Sequence, residues 1–436
     1  MGALISTSIH EVETAIVVGT YRERNEEATC EDSVDELEQL CATAGAVVCR
    51  RILYRLPKPH PGTFLGSGKI EEIAALVREE GISSVVFDDE LTAAQGRNIE
   101  KVVGTKVVDR TQVILDIFAQ HARTREGRMQ IELAQLEYLL PRLRRMWTHL
   151  ERQKGGIGLR GPGEKQLEMD RRKIQQSIAR HRADLEIVRG RRAEQRRGRR
   201  RHGWALVSLV GYTNAGKSTL INALTDAGVL AYDKLFATLD PTTRQMKLAN
   251  HQQVLLTDTV GFIRKLPHGL VEAFKATLEE VVEADMLLHV VDTSHPQVDE
   301  QIDAVYAVLR ELQVEHKPIL TVLNKIDLPE ARQAALRLRH EHQPCIACSA
   351  LDHQGLTELR DMVADALRHR HVRVQLVVPP GDGRIHSVLQ ANATILSETY
   401  DDDGAARFDV AVPETLLGLC RPYRTDILEE DDDAPV

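Results

Sequence analysis

Cysteine is scarce in this sequence: six among 436 residues, at Cys30, Cys41, Cys49, Cys345, Cys348 and Cys420. That is too few for a disulfide scaffold and suits a reducing compartment. Cys345-Ile-Ala-Cys348 is a lone C-x-x-C. A structural zinc site needs a second pair, so this one reads as a strand end built from small residues. Also missing is any apolar run near the ~18 residues that a membrane-spanning helix requires. The opening MGALISTSIHEVE has neither the cationic region nor the long apolar region of a secretory signal, and the expectation is a cytoplasmic protein. Gly2 with Ser6 fits the loose myristoylation pattern, which adds peripheral membrane association as a lesser expectation.

What is present is ordinary in amount and uneven in placement. Apolar content is 42%, typical of a soluble protein, and the length suffices for several domains. The net charge of −9 conceals a basic block. Residues 142–201 hold 20 Lys and Arg against 7 Asp and Glu, a net +13, leaving −22 for the rest. Runs such as RRGRRR, Arg196 to Arg201, repel themselves unless an anion neutralises them. The block therefore points to a local polyanion-binding element rather than to a merely solvated helix. The ending, DILEEDDDAPV, is acidic and reads as disordered.

From residue 13 to about 120, short apolar runs alternate with helical patterns. TAIVVGTY and ISSVVFDDE read as strands; SVDELEQLCATAG and KIEEIAALVREEG read as helices. This alternation predicts a small α/β domain with a mostly parallel sheet. Its GSGK, Gly66 to Lys69, is not a phosphate loop. Thr63 stands where the first glycine belongs and Ile70 follows the lysine, so the segment reads as a turn opening a helix.

A heptad stretch follows. Met129, Leu133, Leu136, Leu140, Leu143, Trp147 and Leu150 step by four and three; Leu167, Ile174, Ile178, His181, Leu185 and Val188 continue the rhythm, with Arg171 at the skipped step. A 3.5-residue apolar period lays one seam along each helix, which predicts two arms of about 25 residues paired as an antiparallel coiled coil. Pro141 should kink the first arm, and His181 reads as a packing residue. Between the arms lies GGIGLRGPGEKQLE, Gly155 to Glu168. Gly155, Gly156, Gly161 and Gly163 let backbone approach phosphates closely, and Arg160 and Lys165 can pair with them, so these six residues are the candidate RNA contacts.

The strongest signal is WALVSLVGYTNAGKSTLINAL. An apolar strand, 205–210, runs into Gly211, Tyr212, Thr213, Asn214, Ala215, Gly216, Lys217 and Ser218 and then a helix, which is the full phosphate-loop pattern in its required context. Its N–H groups and helix N-terminus attract phosphates, Lys217 should reach the β- and γ-phosphates, and Ser218 should ligate Mg²⁺. Further on, PILTVLNKIDLP ends a buried strand at Asn324, Lys325, Ile326 and Asp327. A carboxylate there accepts from the ring N–H and exocyclic amine of guanine, a donor pair that adenine lacks; adenine would leave Asp327 unpaired. Cys348, Ser349 and Ala350 follow another strand and can offer backbone N–H groups to the base oxygen. Between these segments, Asp258, Thr259, Val260 and Gly261 fit the second switch, with Asp258 behind the magnesium and the Gly261 N–H on the γ-phosphate. Upstream, LFATLDPTTR occupies the place of the first switch, with Phe236, Ala237, Leu239 and Asp240 near the nucleotide and three hydroxyls, Thr238, Thr242 and Thr243, that spacing does not separate.

In this order, GYTNAGKSTL, LFATLDPTTR, DTVGFIRKLP, NKID and CSA resemble the HflX family of ribosome-associated, translation-factor-related GTPases. DRTQVILDIFAQHARTREGRMQIELAQLEYLLPRL and GGIGLRGPGE are similar to that family too, so the resemblance spans roughly residues 15–370. Leu159 and Lys165 depart from it, standing where the family usually has threonine, and Met169 is atypical. The resemblance implies that Thr238 is the switch threonine that ligates Mg²⁺, with Lys217 and Gly261 as its catalytic companions. It implies association of the tip with rRNA of the large ribosomal subunit and a role in separating stalled ribosomes under stress. Asn214 matches the asparagine that ligates K⁺ in some related GTPases, which makes K⁺ a second candidate cofactor.

After Gly261 comes Phe262, where many GTPases place a water-orienting glutamine. Phenylalanine cannot hydrogen-bond water, which predicts slow intrinsic hydrolysis and activation by a partner. The expected fold is α/β in four parts: 1–125, an N-terminal α/β domain; 126–203, an antiparallel coiled-coil hairpin with a glycine-rich basic tip; 204–371, a phosphate-loop GTPase domain; and 372–436, a small C-terminal α/β domain with an acidic tail. The expected protein is a monomer that binds GTP or GDP and no DNA. Two functions fit: a GTP-driven factor that splits or rescues ribosomes, or an assembly checkpoint in which GTP only gates rRNA binding.

Overall fold

The computed structural model describes residues 13–142, 162–201, 204–225, 235–236, 242–248, 253–265, 278–367, 371–401, 403–413 and 416–425. The chain forms two compact units: residues 1–186 with 233–239 and 264–274, and residues 187–232 with 240–263 and 275–436.

The first unit holds a four-stranded parallel sheet ordered β2-β1-β3-β4, from β1 (Glu13–Tyr21), β2 (Ala46–Arg55), β3 (Ser84–Phe87) and β4 (Lys106–Asp109). The helices between are α1 (Glu27–Ala44), α2 (Ser67–Glu80) and α3 (Ala93–Val103). β1 and β3 are apolar and buried on both faces, as a covered parallel sheet requires. Ile16, Val18, Val85 and Phe87 meet Ile70, Ile73, Val77 and Ile99 in one core. α2 opens at Gly66-Ser67, so GSGK is a helix start. α3 opens with a capping box between Thr92 and Gln95. α4 (Arg110–His121) is capped by Asp109, which accepts from Gln112 N.

Two further helices follow, the second running past residue 186 into the residues of the second unit. α5 (Arg125–Arg142) packs onto the sheet domain: its Tyr138 hydroxyl donates to Asp109 at 2.8 Å and Arg142 pairs with the same carboxylate at 3.1 Å. α6 (Pro162–Arg201) is 40 residues long, well beyond the expected 25. It lies alongside α5, where Arg182 meets Glu137 at 2.7 Å and His181 meets Glu132 at 3.5 Å. Met129, Leu133, Ile178 and Leu185, all on the heptad seam, are buried.

The second unit carries a six-stranded sheet ordered β10-β9-β8-β5-β7-β6. Its strands are β5 (Ala205–Gly211), β6 (Thr242–Lys247), β7 (Gln253–Asp258), β8 (Met286–Asp292), β9 (Ile319–Asn324) and β10 (Cys345–Ala347). Only the edge strand β6 is antiparallel. The flanking helices are α7 (Lys217–Thr225), α8 (Glu279–Glu283), α9 (Val298–Glu311), α10 (Ala331–Glu341) and α11 (Leu356–Ala366). β5, β8 and β9 are near-continuous apolar runs paired in parallel, so their carboxyl ends meet at one edge. A three-stranded antiparallel sheet follows, ordered β11-β13-β12, from β11 (His371–Val378), β12 (Thr394–Tyr400) and β13 (Ala406–Pro413). α12 (Gly383–Asn392) and the short α13 (Leu417–Cys420) join its core through Leu389 and Cys420. No helix of the described residues is long and apolar enough to cross a membrane.

Candidate nucleotide site

The site grows from the carboxyl end of β5. The strand is apolar and buried up to Gly211, where the chain passes so close to β8 that a Cβ would lie 2.3 Å from the Val290 carbonyl oxygen. The loop then turns through Asn214 and Gly216, both left-handed, into α7. A Cβ on Gly216 would lie 2.4 Å from Asn324 Nδ2, so glycine is required by contact as well as by φ. Lys217 is buried, and its ammonium donates to the Gly211 and Tyr212 carbonyls at 3.0 and 2.7 Å. Burial pulls this ammonium down to about 8, with Asp258 drawing it back up.

The second-switch residues lie against this loop. Thr213 N donates to the Phe262 carbonyl at 2.8 Å, and Phe262 N donates to Gly211 O at 3.1 Å. A Cβ on Gly261 would stand 2.8 Å from Thr213 Cα. Ser218 Oγ donates to Asp258 Oδ2 at 2.6 Å, and the Thr259 hydroxyl donates to Leu209 O at 2.6 Å. Phe262, only 2% exposed, points its ring into the core.

The segments 324–327 and 348–350 are joined to the same loop through Asn324. Its Nδ2 donates to Ala215 O at 2.9 Å, and its Oδ1 accepts from Ala350 N at 3.0 Å. Ser349 Oγ donates to Asp327 Oδ1 at 2.6 Å and so orients that carboxylate. Lys325, left-handed at φ 68°, reaches Asp292 Oδ2 at 2.6 Å. The N–H groups of Cys348, Ser349 and Ala350 are all donated inside the protein, to Leu323 O, Gln354 O and Asn324 Oδ1, because this loop is built as a clamp on Asn324 and on its own turn.

The first switch differs more. Phe236, expected near the nucleotide, has a packing role of its own. It belongs to the first unit, left-handed at φ 57° and buried, with its ring 4.6 Å from that of Phe118 in an edge contact. Ala237, Thr238, Leu239 and Asp240 lie outside the described residues, as do Gly155, Gly156, Arg160 and Gly161. Gly163 and Lys165, expected in the glycine-rich tip, fall in the first turns of α6.

Sequence reasoning missed a buried charge cluster in the first unit. Asp88 follows β3 and accepts from Ser33 at 2.8 Å and from Arg110 at 2.7 Å, while Arg110 also pairs with Glu36. Lys265, four residues past Gly261, adds its ammonium to Asp88 and lies 3.3 Å from Asp89. Burial pushes the Asp88 carboxyl up, but Arg110 and Lys265 together hold it below the usual carboxylate range. The only sequence signal was the acidic DDE after a strand.

Similarity to known proteins now bears on this geometry. Residues 31–119 match the family described as GTP-binding GTPase N-terminal, 121–199 the GTP-binding GTPase middle region, and 206–325 the 50S ribosome-binding GTPases. The "GTPase HflX" of Lacrimispora saccharolytica is 48% identical over 396 residues, covering 91% of this chain and 93% of its own. That of Escherichia coli K12 is 45% identical over 402 residues, covering 92% and 94%. This chain belongs to the HflX family of GTPases. As a member of that family, this chain binds and hydrolyses GTP. Among solved structures, a GDP complex of SsGBP covers 81% of this chain and 98% of its own at 28% identity, with a TM-score of 0.46.

Proposed function

We propose that this HflX-family GTPase is a GTP-driven factor of the large ribosomal subunit that separates stalled ribosomes under stress. The observation that carries it is Phe262. Its backbone is bonded on both sides to the phosphate loop and its ring is buried, so the position after Gly261 offers no polar group to an attacking water. Intrinsic hydrolysis is then slow, and the missing group comes from a partner. The family of 50S ribosome-binding GTPases and the +13 block at residues 142–201 both support rRNA as that partner.

Guanine is read by Asp327 and backed by Lys325. The phosphates lie over the loop 211–218, and Gly261 meets the γ-phosphate. Ser218 and Asp258 are hard oxygen donors 2.6 Å apart at the start of α7, a donor set that suits Mg²⁺. Ser218 would hold that ion with Thr238, and it supplies charge neutralisation at the phosphates. K⁺ at Asn214 fits the same reading. The tip residues Gly155 to Lys165 carry the rRNA contacts, the four-part domain division stands as proposed, and the protein works as a cytoplasmic monomer.

The test is subunit separation followed by light scattering with GTP, a non-hydrolysable analogue and GDP. Splitting with GTP and its analogue but not GDP, and hydrolysis stimulated by the large subunit, is expected. Binding only to assembling particles, with intact ribosomes left unsplit, would favour the checkpoint reading.

A further inference from the structure

Asp292 belongs to none of the nucleotide motifs, yet it reaches the base-reading segment. It ends β8 in register with Asn324, which ends β9. One carboxylate oxygen, Oδ1, accepts from Ser294 N at 3.0 Å and Ser294 Oγ at 2.6 Å. That local turn fixes the side chain and leaves Oδ2 aimed at Lys325, whose Nζ donates to it at 2.6 Å. The neighbouring backbone is held as well: Thr293 donates to the Asn324 carbonyl through N at 3.2 Å and through Oγ1 at 2.7 Å. Lys325 has a left-handed backbone, a conformation that persists only where the surroundings over-determine it. A lysine stem is otherwise among the costliest side chains to order, and tethering its end in advance lowers that cost at binding.

We propose that Asp292 is a positioning residue for guanine nucleotides. Its carboxylate holds the Lys325 stem in place as a preformed wall for the base, and so raises affinity without touching the nucleotide. The proposal rests on the reading of Asp327 as the guanine-binding carboxylate.

The test measures affinity and dissociation rate of a fluorescent GDP analogue on the full chain. Asp292→Ala is expected to weaken binding about tenfold, the scale of one charge-assisted hydrogen bond, mainly through faster dissociation. In a Lys325→Ala background the same change is expected to have no further effect, and Asp292→Glu is expected to recover part of the loss. Wild-type affinity in Asp292→Ala, or an equal loss with and without Lys325, would overturn the proposal, since the second result assigns Asp292 to the fold alone. Asp327→Asn tests the underlying reading separately: it should shift preference from guanine to xanthine nucleotides. Retained guanine preference in that variant would sink the base assignment whatever Asp292 does.

Discussion

Single atoms decide much of this site. Gly216 has no room for a Cβ, which would meet Asn324 Nδ2 at 2.4 Å. The Asn324 amide also carries the bond to Ala215 O, so it cannot yield without loosening the base loops from the phosphate loop. Gly216→Ala is therefore expected to abolish detectable GTP binding while leaving the first unit folded, checked by equilibrium titration beside circular dichroism. Lys217 gives a pH dependence whose sign follows from its burial. Without nucleotide its ammonium is pulled down to about 8, and bound phosphates favour the charged form. Affinity is then full below that value and falls as pH rises through it. Titrations from pH 7 to pH 9.5 should show GDP binding weakening above about 8; a flat profile would count against a lysine on the phosphates.

At the scale of elements, contiguous motifs were legible and distant partners were not. The loop 211–218 and the run 324–327 each depend on neighbours in sequence, so strand, turn and helix could be read together. The heptad seam gave both arms, but not the true length of α6, because a repeat marks a packing face and not where a helix stops. Asp88, Arg110 and Lys265 come from three remote segments, and only the folded sheet edge brings them together. Phe236 reads as a switch residue by position, and its packing on Phe118, more than a hundred residues away, has no local signal. Asp292 escaped notice because its partner, Lys325, lies just past the end of the neighbouring strand.

The Asp88 cluster carries its own prediction. Arg110 is 2% exposed, and removing it strands buried carboxylates. Arg110→Ala should cost about 3 kcal/mol of unfolding free energy. Arg337→Ala, which breaks the exposed pair with Asp299, should cost under about 1 kcal/mol. The Asp88 carboxyl lies below its ordinary 3.8 in the folded chain, so its contribution is complete above that value and disappears as pH falls through the folded one. Acid unfolding of the first unit, followed by near-ultraviolet circular dichroism, should shift to higher pH in Arg110→Ala.

For the whole molecule, the proposed function needs a guanine pocket and the basic block of residues 142–201 in one chain. On the proposed reading, the charge imbalance selects a polyanionic partner and the buried Phe262 leaves hydrolysis waiting for it. Sedimentation with purified large ribosomal subunits tests this most directly, comparing the full chain with one lacking residues 155–168, each with a non-hydrolysable GTP analogue or GDP. The account predicts that the full chain pellets with the analogue and not with GDP, that binding weakens steeply with added salt, and that the shortened chain stays in solution. Equal pelleting of both chains, indifferent to nucleotide, would contradict it.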